Sequence, residues 1–170
     1  HALATATICS KVDMKCEIFI PKSCDQAKMD KIKLNGKQSL KLNIIDTNDC
    51  GVCEQEAMSY ALENKIPYIS PYNDLDVVHG QGTIGYEIYE ELSKNNVHLD
   101  EIYVSVGGGG LISGIAYFFQ EKCKVVGVQP FNSPIMCNSM IAGRVLDPEN
   151  DDVLDIETWS DGTGGSLDLK

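Results

Sequence analysis

Ser105-Val106-Gly107-Gly108-Gly109-Gly110-Leu111-Ile112-Ser113-Gly114 is the stretch on which the fold of this 170-residue chain is decided. Apolar residues at 101–106 predict a strand before it, and residues 111–121 a helix after it, so the glycines make a strand-to-helix turn. Four consecutive glycines remove every Cβ, which lets successive backbone N–H groups converge on one anion. The following helix adds its own N-terminal N–H groups and its dipole. A tight turn by itself asks for one or two glycines, so four imply that something approaches the backbone.

Outward from this turn the chain alternates. Ala2–Lys11 reads as a helix and Cys16–Pro21 as a short buried strand stopped by proline. Residues 25–35 read as an amphipathic helix capped by Asp25, striped by Ala27, Met29, Ile32 and Leu34, and ended by Gly36. Leu40–Ile45 is a strand, and Asp49 caps a helix reaching about Asn64 with Ala57, Met58, Ala61 and Leu62 inward. Residues 66–69 are expected as a very short strand and residues 81–94 as a helix. Beyond the glycines come a strand at 125–129, a helix at 133–142 ended by Gly143, and a polar, acidic tail after Arg144. Strands alternating with helices over short connections specify the α/β class, with parallel sheets flanked by helices. A shift near residues 66–80 marks a passage between two lobes.

Composition bounds the function. An apolar fraction of 43% and a charged fraction of 23% are globular values. The net charge of −11 disfavours nucleic acid and anionic membranes as partners. No apolar run approaches the ~20 residues that span a bilayer. Residues 1–45 hold eight lysines and four acids, a basic balance that the interleaved Val12, Ile18, Met29, Ile32 and Leu34 assign to solvated faces of surface elements rather than to an anion-binding arm. The seven cysteines are odd in number and irregularly spaced, which points to reduced thiols in a cytoplasmic protein. Cys50-Gly51-Val52-Cys53 is a CxxC at a helix start, but the histidines are only His1, His79 and His98, so no metal is expected. The chain starts with His1 and shows no signal-peptide pattern, and its length is expected to describe part of a longer protein.

The glycine run discriminates among phosphate ligands. A nucleoside-triphosphate loop needs Gly-Lys-Ser/Thr after the glycines, where this chain has Leu111-Ile112. A dinucleotide fingerprint needs G-x-G-x-x-G, and the last position falls on Ile112 or Ser113; the acid expected about 20 residues on is replaced by Gln129. A single phosphate fits better, and pyridoxal phosphate is such a ligand. A second cluster, His79-Gly80-Gln81-Gly82-Thr83, reads either as a helix start capped by Thr83 or as a wall of the same site.

Pro71-Tyr72-Asn73-Asp74, then GQGTIGYE at residues 80–87 and SVGGGGLISGIA at residues 105–116, resemble the serine/threonine dehydratase and serine racemase family. The opening His-Ala-Leu-Ala resembles the end of that family's S-G-N-H-x-x-A-L-A segment, and Asp161-Gly-Thr-Gly-Gly its later D-G-T-A-G-G segment. The resemblance implies a two-lobed fold-type-II pyridoxal phosphate enzyme, similar to the tryptophan synthase β fold. It implies residues 1–70 in the small lobe and 71–170 in the large cofactor-binding lobe. It also implies that Gly107, Gly108, Gly109, Gly110 and Leu111 hold the cofactor phosphate, with Tyr72, Gln81 and Gly82 on the wall of the substrate cleft. The implied activity is an ammonia-lyase (dehydratase) that turns L-serine or L-threonine into a 2-oxo acid and ammonia, in a cytoplasmic homodimer. Tyr72 is aromatic as in dehydratases, where racemases carry asparagine. The racemase branch and a non-catalytic phosphate-binding or subunit-interaction module remain the alternatives.

No catalytic residue is expected within the chain. The family's Schiff-base lysine lies in an S-x-K-x-R-G-A stretch, and no lysine here has that context. The racemase branch's divalent-metal acids correspond to Gln129 and Ile135, so that metal is not expected either. The 170 residues alone are expected not to turn over.

Overall fold

The computed structural model describes residues 1–146, 158–163 and 167. The chain divides into two compact units, His1–Tyr68 and Ile69–Lys170.

In the first unit, helix α1 (Ala2–Lys11) precedes strand β1 (Cys16–Pro21), helix α2 (Gln26–Gly36), strand β2 (Leu40–Ile45) and helix α3 (Cys50–Asn64). β1 and β2 pair in parallel, Cys16 opposite Leu40 and Pro21 opposite Ile45. The alternation of side chains along a strand sorts the two faces. Ile18 and Ile20 point into a core with Ala6 of α1 and Ile32 of α2. Glu17 and Phe19, on the opposite face, meet α3. The Phe19 and Tyr60 rings lie 5.5 Å apart. The Tyr60 hydroxyl donates to Glu17 (2.7 Å), as do Lys41 Nζ (2.8 Å) and Asn43 Nδ2 (3.2 Å). Helices α2 and α3 start on aspartates whose side chains accept from the first turn: Asp25 from Lys28 N and Asp49 from Gly51 N.

The second unit holds helix α4 (Leu75–Lys94), strand β3 (Glu101–Ser105), helix α5 (Gly110–Phe119), strand β4 (Lys124–Val128) and helix α6 (Ile135–Ala142). β3 and β4 are again parallel, Glu101 opposite Lys124 and Ser105 opposite Val128. Val104, Ile115 and Phe119 form its core, with Ile88 of α4 and Val125 of β4 packed against them. Burying a side chain such as Phe119, 1% exposed, contributes on the order of 2–3 kcal/mol.

Several sequence expectations need correction. Helix α4 starts six residues before residue 81, because Asp74 caps it by accepting from Asp76 N (2.8 Å) and Val77 N (3.3 Å). Thr83 therefore caps nothing; its hydroxyl donates to Gly80 O one turn back inside the helix. Gly82 serves packing against α5: a Cβ on Gly114 of α5 would overlap Val78 O, and one on Gly82 would lie 3.0 Å from Gly114 O, while one on Gly80 would meet nothing. Residues 66–69 form no strand; they lie where one unit gives way to the next. Leu34 and Leu62, expected inward, are 74% and 81% exposed, and Ala27 is exposed too. The inward positions are Met29 and Ile32 on α2, and Cys53 and Ala61 on α3. Most of the tail expected after Arg144, including Gly164 and Gly165, lies outside the described residues.

Candidate functional site

The glycine turn joins the carboxyl end of β3 to the start of α5, the position where open parallel sheets bind ligands. Gly109 is the N-cap of α5 and adopts φ +91°, which disfavours any residue with a Cβ. Its neighbours are glycine for want of room. A Cβ on Gly108 would overlap the Tyr72 ring, one on Gly110 would lie 2.8 Å from Tyr72 Cα, and one on Gly107 would lie 2.9 Å from Gly162 O. Tyr72 is placed by a turn in which the buried Ser70 hydroxyl accepts from Asn73 N (3.0 Å) and Tyr72 N (3.5 Å).

The donors of this turn are open. The first intrahelical acceptor is Gly109 O, which takes Ser113 N–H at 3.0 Å. Among the described residues, the N–H groups of 107–112 find no hydrogen-bond acceptor, and α5 has no side-chain cap. Six successive donors, at the positive end of a helix dipole, in a half-buried turn that admits no side chain, fit a phosphate group. This chemistry needs only backbone, which is why the donor set carries no titratable residue. A cavity of about 400 Å³ opens at the same strand ends, lined by Ser105, Val128, Gln129, Trp159 and Thr163 among others.

Over residues 1–169 the chain matches the family model described as pyridoxal-phosphate dependent enzyme.

This chain belongs to the pyridoxal-phosphate dependent enzyme family.

Within the family it is similar to the L-threonine dehydratase biosynthetic IlvA of Halalkalibacterium halodurans, 33% identical over 156 residues, which are 89% of this chain and 36% of the relative. It also resembles the solved structure of the processed form of threonine deaminase isoform 2 from Solanum lycopersicum, with TM-score 0.79, 27% identity, and coverage of 99% of this chain and 47% of that one. Maize serine racemase shares the fold, with TM-score 0.81, 24% identity, and coverage of 99% and 48%. The chain thus spans about a third of the curated relative and about half of each solved structure. The family's cofactor is pyridoxal phosphate, and the open donors of residues 107–112 suit its phosphate.

The remaining sequence-predicted positions fall as follows. Tyr72 lies against the glycine turn, and Leu111 opens the first turn of α5. Gln81 and Gly82 sit within α4, where both approach Gly114 of α5. The CxxC cysteines occupy the first turns of α3, Cys50 exposed and Cys53 3% exposed. Burial, then the neighbouring Cys50 and the acids Asp49, Glu54 and Glu56, push the Cys53 thiol up to about 11, which keeps it protonated and unreactive at neutral pH. Among the described residues no three His, Cys, Asp or Glu side chains are placed to hold a metal ion. The sequence assigns no role at the turn to Gly162, whose carbonyl flanks Gly107, or to Gln129, met there only in place of an expected acid, whose amide bridges two backbone groups beside the turn.

Proposed function

We propose that this chain supplies the phosphate cradle of a pyridoxal phosphate-dependent ammonia-lyase that converts L-serine or L-threonine into a 2-oxo acid and ammonia. The observation that carries the reading is the run of open N–H donors at 107–112 beneath Tyr72, in a chain 33% identical to an L-threonine dehydratase. In this proposal Gly107, Gly108, Gly109, Gly110 and Leu111 bind the phosphate, and Tyr72, Gln81 and Gly82 belong to one wall of the substrate cleft. When bound, the cofactor supplies an electron sink for the substrate's α-carbon. The chain's own contribution is to anchor it and fix its register, which is a positioning role.

The division after Tyr68 supports assigning residues 1–70 to the smaller lobe and 71–170 to the cofactor lobe. The resemblance supports a cytoplasmic homodimer for the assembled enzyme. No helix among the described residues is long and apolar enough to cross a membrane. The resemblance implies a Schiff-base lysine in an S-x-K-x-R-G-A stretch that these 170 residues do not contain, and in this proposal that lysine is supplied from outside them.

The test is to incubate the purified chain with pyridoxal phosphate and L-threonine or L-serine. Expected are saturable cofactor binding, no borohydride-fixed adduct at a single lysine, and no 2-oxo acid. Robust 2-oxo acid production overturns the division of labour, and failure to bind pyridoxal phosphate overturns the cradle.

A further inference from the structure

Gln129 follows the last residue of β4 and is half-buried. Its Nε2 donates to Val106 O at 3.2 Å, and its Oε1 accepts from Cys137 N at 3.0 Å. Both partners are main-chain groups of fixed polarity, so the network itself sets which way the amide points. An amide donates through its nitrogen while accepting through its oxygen; a carboxylate in its place faces Val106 O without a proton.

The Val106 carbonyl and the Gly107 N–H belong to one peptide unit. That unit is planar and trans, so its C=O and N–H point in opposite directions. Pinning the Val106 oxygen therefore pins the direction of the Gly107 N–H, the first donor of the cradle. The other side of Val106 is also held, its N–H donating to Val128 O at 2.9 Å. Without Gln129, four glycines leave this peptide free to rotate.

The second arm of Gln129 reaches α6. That helix begins after Pro134 and has no side-chain cap, so the Cys137 N–H, one of its orphan donors, is satisfied by Gln129 from outside the helix. The preceding residue, Met136, brings its Cε to 2.9 Å from where a Cβ on Gly109 would stand. One side chain thus ties the first peptide of the cradle to the helix that flanks its third glycine.

We propose that Gln129 is a positioning residue for the phosphate cradle: it aims the Gly107 N–H and locks the first turn of α6 beside Gly109. The proposal rests on the cradle reading above and adds a residue that touches no ligand. It predicts a preorganised donor set, whose loss appears in affinity more than in stability.

The test compares the 170-residue chain with Gln129→Met and Gln129→Glu. Three quantities are measured for each: the Kd for pyridoxal phosphate and for inorganic phosphate, the Tm without ligand, and the Gly107 amide resonance in a ¹⁵N–¹H spectrum. Expected for Gln129→Met are a displaced Gly107 resonance, a Tm close to the parent's, and affinity for both ligands weakened by about tenfold, the worth of one oriented hydrogen bond. Gln129→Glu weakens binding further, because its charge repels the phosphate. An unmoved Gly107 resonance in both variants overturns the proposal whatever the ligand does. Parent-like Kd values in Gln129→Met, with binding intact in the parent, overturn it while sparing the cradle. A parent chain that binds neither ligand overturns the cradle and the proposal with it.

Discussion

The two units use the same parallel strand–helix–strand motif and finish its turn in opposite ways. After β1 the chain enters α2 through Asp25, whose carboxylate accepts from Lys28 N at 3.1 Å. After β3 it enters α5 through Gly109, with no side chain at the cap. The first helix start carries its own anion; the second leaves its donors to be met from outside. Beyond the turns the units are alike, each satisfying a strand carboxylate internally: in the second, Glu101 accepts from Lys124 Nζ and from the Tyr103 hydroxyl. In the first unit the half-buried Glu17 is met by Lys41, Asn43 and Tyr60 of the same unit, so its charge is satisfied internally. A βαβ motif with a capped turn closes on itself, and one with a glycine turn at the carboxyl end of its strand leaves donors that suit an anion.

The comparison is broken most directly by making the second turn like the first. Gly109→Asp installs a carboxylate at the N-cap of α5. Pyridoxal phosphate affinity is expected to fall about a hundredfold, and further than in Gly109→Ala, which carries the same positive-φ strain without the charge that competes for the N–H groups and repels the phosphate. Equal affinity in a titration followed by cofactor absorbance erases the distinction. The reverse change is milder. Asp25→Ala leaves the start of α2 uncapped and is expected to cost about 1 kcal/mol in urea unfolding, with phosphate affinity unchanged. The smallest effect concerns Glu17. Its carboxyl is held below its ordinary value of 4.5, first by the hydrogen bond from Lys41, then by Tyr60 and Asn43, against an opposing desolvation. A carboxyl lowered in the folded state contributes stability above its unfolded value, and this contribution is lost as pH falls through the folded value. Glu17→Gln is therefore expected to lower Tm slightly at pH 7, with the difference from the parent shrinking below about pH 4.5 and vanishing in acid. A Tm difference that persists undiminished in acid contradicts the ionic origin.

Strands β1–β4 and the glycine turn were legible because they depend on local pattern, whereas the strand expected at 66–69 does not form. Apolar runs at Cys16–Pro21 and Leu40–Ile45 mark β1 and β2 to the residue, and the tetraglycine has few structural explanations. Asp25 and Asp49 announced two helices through cap chemistry. The start of α4 was missed because Gly80 and Gly82 read as breakers, while the true signal was Asp74 ahead of an apolar run. Gly82 is explained only by the neighbouring helix, through Gly114, which a sequence does not show, and a Cβ on Gly80 would meet open space. Leu34 and Leu62 follow helical periodicity yet face outward, since which flank of a helix is covered depends on what packs there. Gln129 stood out only as a missing acid, with no signal of its bridging role: an amide joining Val106 O and Cys137 N spans positions 23 and 8 residues away and belongs to no motif. The open donors of the glycine turn were legible because they are local, and the Gln129 bridge was not because its partners are distant.

The central claim is that the backbone of residues 107–112 is the phosphate site. The most direct measurement is a ¹⁵N–¹H NMR titration of the chain with pyridoxal phosphate and, separately, with inorganic phosphate. The predicted result is saturable displacement of the amide resonances of residues 107–112 by both ligands, with the capped start of α2 at residues 26–28 unmoved. Stationary amides at 107–112 while pyridoxal phosphate binds, or displacements gathered elsewhere in the chain, would contradict it.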